Sequence, residues 1–309
     1  MSVPFFLAPM AELSHRALRE LIEDFGGCDE YFTEMISAAA LLAGGPLEKW
    51  YIDAGPRPEK TVFQIVGSDA GLMAQAAALL DRLECRGIDL NMGCSAPLIR
   101  KTGAGVAWME SADKAACLVK QVRKAVKRRL SAKVRIGLTD DFEYLVRFCR
   151  RLESEGVELI TLHPRTAKEK FKRTARWEYV GALRKELRIP VAGNGDIADA
   201  ADLIRRASGP CDAVMSGRAA VRQPWIFQRG AGNDEKTVRS LIIPAGLRFL
   251  ELLSRWQPPE FHISRARRFF GFFCDNLKWG NHIKNLLNRE TSLAGIEKVW
   301  LECGMKGEE

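Results

Sequence analysis

The chain has 309 residues, 47% hydrophobic and 28% charged, with a formal net charge of +8. Those proportions exclude a disordered or fibrous chain, and no run comes near the ~20 apolar residues that a membrane span requires. The length admits one large α/β barrel of about 250 residues with an appendage, or two ordinary domains.

The N-terminal MSVPFFLAPMAELSHR lacks a basic start and is interrupted by Pro4 and Pro9, so it is not expected to be a signal peptide. Short β-like runs, most followed by a helical pattern, are predicted at Pro4–Ala8, Glu30–Thr33, Thr61–Val66, Gly87–Leu90, Ala132–Ile136, Leu159–Leu162, Pro190–Ala192 and Ala213–Met215. Helices are predicted between them at Ser14–Glu23, Gly71–Arg82, Lys114–Leu130, Phe142–Ser154, Trp177–Leu187 and Asp199–Ala207. Alternation with continuous, short apolar strands implies a parallel sheet. The number and spacing of the units, about 28 residues each, fit a (β/α)8 TIM barrel. A doubly wound open sheet is the alternative, weakened because no G-x-G-x-x-G follows the first strand.

The polar stretch 228–238 reads as a linker, and strand signals stop beyond it. Helices are expected at Ile242–Trp256, Ser264–Leu277 and Asn281–Asn288, the first two separated by Pro258-Pro259. Phe269, Phe270, Phe272 and Phe273 would supply an aromatic core. The expected organisation is a catalytic barrel over residues 1–238 and a small all-helical domain over 239–309.

Positive charge is concentrated. Residues 120–135 hold eight Lys/Arg and no Asp/Glu, 165–188 hold nine against three, and 261–290 hold six against two. Such segments suit a surface that meets a polyanion, or they are three separate solvated helix faces. The eight cysteines, at 28, 85, 94, 117, 149, 211, 274 and 303, include no Cys-x-x-Cys pair. Free thiols in a reducing cytoplasm are expected, with no metal site.

In such a barrel the chemistry sits at the C-terminal ends of the strands. These ends carry Ala8-Pro9-Met10-Ala11, Thr33-Glu34, Gln64, Asn91-Met92-Gly93-Cys94, Lys133 with Arg135, His163 with Arg165, Gly193-Asn194-Gly195-Asp196 and Ser216-Gly217-Arg218. The last two each precede a helix. Glycine lets backbone N–H groups approach a ligand and a helix N-terminus favours an anion, so this pair reads as a phosphate site rather than two tight turns. Cys94 lies between Gly93 and Ser95 in a loop, where Lys101 or Arg165 could tune its thiol; taken alone it would be an inert cysteine.

Taken together, APMA (8–11), TEM (33–35), FQIVG (63–67), DLNMGCSAP (89–97), GAGVAWM (103–109), KVRIG (133–137), LHPRT (162–166), RW (176–177), IPVAGNGDI (189–197) and SGRAAVRQPWIF (216–227) resemble the tRNA-dihydrouridine synthase family. The resemblance runs from Phe6 to Phe227 in the family's order and spacing. It implies an FMN-bound barrel that uses NADPH or NADH to reduce uridine in tRNA to 5,6-dihydrouridine. It assigns Pro9, Met10 and Ala11 to the surroundings of the flavin ring, Gln64 and Lys133 to ring contacts, and His163 to a further flavin contact. Asn194, Gly195, Asp196, Gly217 and Arg218 match phosphate and ribityl contacts. Cys94 matches the general acid, and Asn91 and Arg165 the substrate side.

The implied chemistry suits these residue types. Hydride from reduced flavin goes to C6 of uracil, and C5 needs a proton that a thiol can give. A lysine near the flavin N1/C2 edge stabilises the anionic reduced ring. The uridine must be extruded from a helix or taken from a loop. A cytoplasmic monomer that engages tRNA and neither membrane nor metal is expected.

Several positions depart from the family pattern. Ser95 stands where proline usually follows the cysteine, Pro164 where glycine follows the histidine, Glu169 and Phe171 where Gln and Tyr are usual, and Arg176 where Asp precedes the tryptophan. Two other readings stay open: an FMN barrel for a small substrate, similar to dihydroorotate dehydrogenase, and a non-catalytic RNA-binding homologue.

Overall fold

The computed structural model describes residues 2–228 and 235–306. Nine parallel strands form one sheet: β1 Phe5–Leu7, β2 Glu30–Phe32, β3 Ile36–Ser37, β4 Thr61–Val66, β5 Gly87–Met92, β6 Arg129–Gly137, β7 Leu159–Thr166, β8 Val191–Asn194 and β9 Ala213–Ser216. Consecutive strands pair, except that β2 and β3 both pair with β4 and not with each other, and β1 also pairs with β9. The sheet is therefore closed. β2 and β3 are two pieces of one barrel strand: Phe32 pairs with Val62 and Ile36 with Ile65, so four steps oppose three. The extra residue is a bulge, and Glu34 lies within it. The architecture is the (β/α)8 barrel with a C-terminal helical region.

Helices between and after the strands lie at Arg16–Asp24, Ala38–Ala43, Glu48–Tyr51, Ala70–Asp81, Pro97–Lys101, Ala112–Ala125, Phe142–Ser154, Glu178–Glu186, Ala200–Ala207 and Arg218–Arg222, and the longer ones cover the outside of the sheet. Several begin on side-chain caps: Asp69, Ser111, Asp141 and Asp199 each accept from the backbone N–H three residues on. The helix expected at Lys114–Leu130 ends at Ala125, and the next strand starts at Arg129 rather than Ala132. Asp81 explains the stop, because its carboxylate takes the N–H groups of Lys127 (2.9 Å) and Arg128 (3.0 Å) that helix continuation would have used. β3 and the short helices in the loops were not expected from the sequence.

The tail comprises Glu235–Trp256, Pro259–Phe273, Gly280–Leu287 and Leu293–Lys306; the last of these helices was not predicted. Pro258 and Pro259 begin the second, where a missing N–H costs nothing. The boundary drawn at 238/239 falls inside Glu235–Trp256, and residues 229–234 of the expected linker lie outside the described residues. Phe249 stacks on Phe269 at 3.7 Å and Phe269 on Phe273 at 4.8 Å, with Trp300 behind them. Phe273 continues to Trp225 and Trp225 to Phe25, so the tail's aromatic core is continuous with that of the barrel. Phe272, counted in that core by sequence, is only partly buried at its edge.

Candidate active site

The barrel interior has two unlike halves. Phe6, Ala8, Phe32, Val62, Leu159, Ala192, Ala213 and Met215 form an apolar cluster, with Met10 packed on it at the mouth. Further along the strands, β4 to β7 place Gln64, Asp89, Asn91, Ser131, Lys133, Thr161 and His163 side by side through their register. The polar set follows from sequence: β5, β6 and β7 carry polar residues at alternate positions, a parallel sheet turns alternate residues to one face, and β4 adds Gln64 beside them.

Gln64, predicted as a ring contact, is fully buried, and its amide is used at both ends. Its Nε2 donates to Asp89 Oδ2 at 2.7 Å, and its Oε1 accepts from Asn91 Nδ2 at 2.8 Å. Asn91 Oδ1 in turn accepts from the Cys94 N–H at 2.9 Å and the Gly93 N–H at 3.3 Å. Ser131 donates to the other Asp89 oxygen at 2.6 Å. Burial nevertheless pushes the Asp89 carboxyl up to about 6. Cys94 is half-buried in the loop that follows, and its carbonyl accepts from Val106 N–H at 3.0 Å. Gly105 lies behind it with φ +62°, and a Cβ there would come 2.6 Å from the Cys94 oxygen, so only glycine fits.

The Cys94 thiol is among the groups that act electrostatically on Lys133 and Arg135. The Lys133 ammonium has no hydrogen bond or ion pair among the described residues. Burial and then repulsion from Arg135 bring it down to about 8. Arg135 spans two loops, donating to the Gly93 carbonyl at 2.9 Å and to those of Thr166 and Lys170 at 3.1 and 3.2 Å. Nearby, the buried hydroxyl of Thr161 has no hydrogen-bond partner among the described residues.

Arg165, expected on the substrate side, is buried and committed. It holds Asp196 at 2.6 and 2.8 Å, donates to the Arg173 carbonyl, and lies 3.0 Å from His163 Nε2. A guanidinium only donates, so Nε2 accepts and the His163 proton sits on Nδ1. Burial and the surrounding cations hold this imidazole neutral. Asp196, expected near phosphate, is thus occupied in orienting Arg165 and also accepts from Ala175 N–H at 2.7 Å. Asn194 donates to the Met215 carbonyl at 2.8 Å. At Gly195, φ is +115° and a Cβ would lie 2.9 Å from His163. Gly217 precedes the exposed Arg218, which lies over the Phe171 ring at 4.6 Å. Pro9 and Met10 are half-buried beside this end, and Ala11 is exposed.

A scan against family models matches residues 6–254 to dihydrouridine synthase. The chain belongs to the dihydrouridine synthase family. The family consists of flavin-dependent oxidoreductases, so the chain is an enzyme of that class. A protein of Aquifex aeolicus named as a probable tRNA-dihydrouridine synthase is 35% identical over 72% of this chain and 71% of its own. One of Rhizobium leguminosarum with the same name is 30% identical over 95% and 88%. A third, of Cupriavidus necator, is named tRNA-dihydrouridine(16) synthase and is 31% identical over 74% and 73%.

Against the family pattern, two of the departures explain each other. Arg176 and Glu169 form a two-pronged ion pair at 2.6 and 2.9 Å, and Glu169 also accepts from Thr166 N–H at 2.8 Å. That pairing holds the Glu169 carboxyl down at about 2. Sequence reading did not single out Asp89, Ser131, Thr161 or Arg265. Arg265, buried in the tail, meets Glu34 at 3.0 Å, and Glu34 accepts from the Glu12 N–H at 2.6 Å. Glu12 lies next but one to Met10, with φ +63°, so the tail helps hold the Met10 loop. Alternation along β5 could have flagged Asp89; nothing local could have paired Arg265 with Glu34.

The charge segments separate in space. In 120–135, Arg123, Arg128 and Arg129 are bound at the N-terminal end of the barrel, while Lys133 and Arg135 line its interior. The loop after β7 exposes Lys168, Lys170, Phe171, Lys172 and Arg173 at the mouth. In the tail, Arg265 is buried and Lys284 is paired with Asp275, which leaves Arg268, Lys278 and Arg289 exposed.

Proposed function

We propose that this protein reduces specific uridines in tRNA to 5,6-dihydrouridine with FMN as its cofactor and NADPH or NADH as reductant. The observation that carries the reading is the set of polar groups on β4 to β7 that the described residues leave unspent. The pyrimidine edge of an isoalloxazine is rich in donors and acceptors that such groups would meet, and Met10 offers an apolar contact at the mouth. The unpaired Lys133 ammonium and the unpartnered Thr161 hydroxyl are polar groups that the protein itself leaves unsatisfied. Gly217, Arg218 and Gly195 would hold the phosphate and ribityl end, with the Nδ1–H of His163 as a further donor. Gln64 and Met10 would border the ring.

Bound there, the flavin would supply the hydride for C6 of uracil. Lys133 places a fixed cation where negative charge must be balanced, in a partly dry site where that charge acts strongly. Asn91 and Gln64 each keep one amide hydrogen for a ligand. The Cys94 thiol would hold the proton for C5, near Lys133 and Arg135. The basic loop 168–173 would meet the phosphates of tRNA, with the helical region, residues 239–309, as a second contact. The enzyme would work as a monomer in the cytoplasm, where its substrate is. No helix of the described residues is long and apolar enough to cross a membrane, and no metal-binding cluster occurs among them.

The test is direct. Purified protein should show flavin absorption and release FMN on denaturation. Incubated with unmodified tRNA and NADPH, it should add two mass units at one or a few uridines, mapped by mass spectrometry of nuclease fragments. Flavin-loaded protein that leaves tRNA unchanged but oxidises dihydroorotate would favour the small-substrate reading. Folded protein that binds tRNA and takes up no flavin would favour the non-catalytic one.

A further inference from the structure

We propose that Asp89 is a positioning residue for the Cys94 loop: through Gln64 and Asn91 it sets the direction of a buried hydrogen-bond chain that ends on the Gly93 and Cys94 amides. The importance of that loop rests on the function proposed above; the geometry of the chain does not.

The argument is one of donors and acceptors. Each amide side chain carries a donor end and an acceptor end that differ little in shape, so a chain of amides could run in either direction. An ionised carboxylate breaks the tie because it only accepts. Asp89 Oδ2 takes the N–H of Gln64 at 2.7 Å, which turns the Gln64 oxygen to Asn91 Nδ2 at 2.8 Å. That turns the Asn91 oxygen to the Cys94 N–H at 2.9 Å and the Gly93 N–H at 3.3 Å. With a donor at position 89 the reverse order becomes available. The Asn91 NH2 would then face the loop N–H groups, donor against donor, and the loop would lose this anchor. Gln64, Asp89 and Asn91 are each at most 5% exposed, so water cannot substitute freely.

The groups facing Asp89 are the Ser131 hydroxyl at 2.6 Å, Gln64, and the cations Lys133 and Arg129. They favour its charge, burial opposes it, and the balance leaves the carboxyl at about 6. The chain therefore has a set direction at neutral pH and loses it as pH falls through that value.

Hydrogen exchange of the purified holoprotein tests this, read at the Gly93 and Cys94 amides from about pH 5 to 8 and corrected for intrinsic exchange rates. Protection should fall roughly five- to tenfold on the acid side, the equilibrium weight of about one net hydrogen bond. In Asp89→Asn it should be low at every pH, while strand amides elsewhere stay protected. In Ser131→Ala the carboxylate remains but loses a stabilising donor, so the step should move to higher pH. Wild-type protection in Asp89→Asn, or an unmoved step in Ser131→Ala, overturns the proposal. Should Asp89→Asn fail to fold, Ser131→Ala decides. Dihydrouridine formation measured on the same samples reports on the functional reading separately, because amide protection does not depend on turnover.

Discussion

The two ends of the barrel hold similar charged residues in opposite states. At the N-terminal end a cavity of about 570 Å3 is lined by Asp29, Glu30, Arg86, Arg129, Glu158 and Asp212 among others. Here the charges are matched. Arg129 grips Glu30 with a 2.6 Å contact, Arg86 reaches the same carboxylate at 3.4 Å, Arg123 binds Glu158 at 2.7 Å, and Arg184 binds Asp212 at 3.0 Å. At the C-terminal mouth Lys133 has no hydrogen bond or ion pair among the described residues, Arg135 donates to backbone carbonyls and lies over the Phe171 ring, and Arg218 lies over the same ring. A balanced set of charges satisfies the fold; cations left unmatched inside a barrel are waiting for an anionic or electron-rich ligand.

The largest expected effect lies at the mouth. Cys94→Ala should leave flavin content and its reduction by NADPH close to normal, yet slow uridine reduction about 10²–10⁴-fold, the usual worth of a general acid. Rapid-mixing measurements separate the two half-reactions. A normal rate with tRNA would show that another group delivers the proton.

Lys133→Met should act in two directions. Flavin retention should drop at least about tenfold as a charge-assisted contact is lost. The cofactor-free protein should become more stable by about 1–3 kcal/mol at neutral pH, because a desolvated, unpaired ammonium has been removed. The sign can be checked by pH as well. The folded group sits at about 8 against 10.5 in its ordinary state, so the unfolded chain binds more protons between these values. Wild-type cofactor-free protein should therefore gain stability from this group as pH rises through that window, and the variant should lack that gain. Thermal melts across the range decide it; a destabilised variant would mean that Lys133 has a partner after all.

Arg129→Ala probes the matched end. It should cost about 2–4 kcal/mol in denaturant unfolding, since Glu30 would keep only the weaker Arg86 contact. Its turnover per folded, flavin-loaded molecule should be unchanged. A fall in that turnover would break the separation between the two ends.

The smallest effect belongs to the rim. Lys170→Glu with Lys172→Glu should weaken tRNA binding and lower the salt slope by roughly two. Lys120→Glu with Lys124→Glu, on the barrel's outer helix, should change it far less. Equal losses would spread the tRNA footprint beyond the mouth.

Much of this was legible along the chain. The β/α alternation is local, since a strand needs a short apolar run and a helix its own cap and period, and the strand ends then mark the mouth of any such barrel. Cys94, Lys133, His163, Gly195 and Arg218 could be located in this way. Which charges are spent and which are left over could not, because pairing is a property of distance in space. Asp196 and Arg165 look like ligand residues in sequence and turn out to hold each other. Residues 120–135 look like one basic surface, but alternation in β6 sends Lys133 and Arg135 into the barrel while Arg129 pairs at its far end. Arg265 reads as a surface charge of the tail, yet it is buried against Glu34, where only docking of the last helices on the barrel brings the two together. Sequence by itself determined the order of elements and the residues offered at the mouth. Tertiary structure decided which of those residues remain free to act, because closing the barrel and docking the tail sets every long-range partner at once.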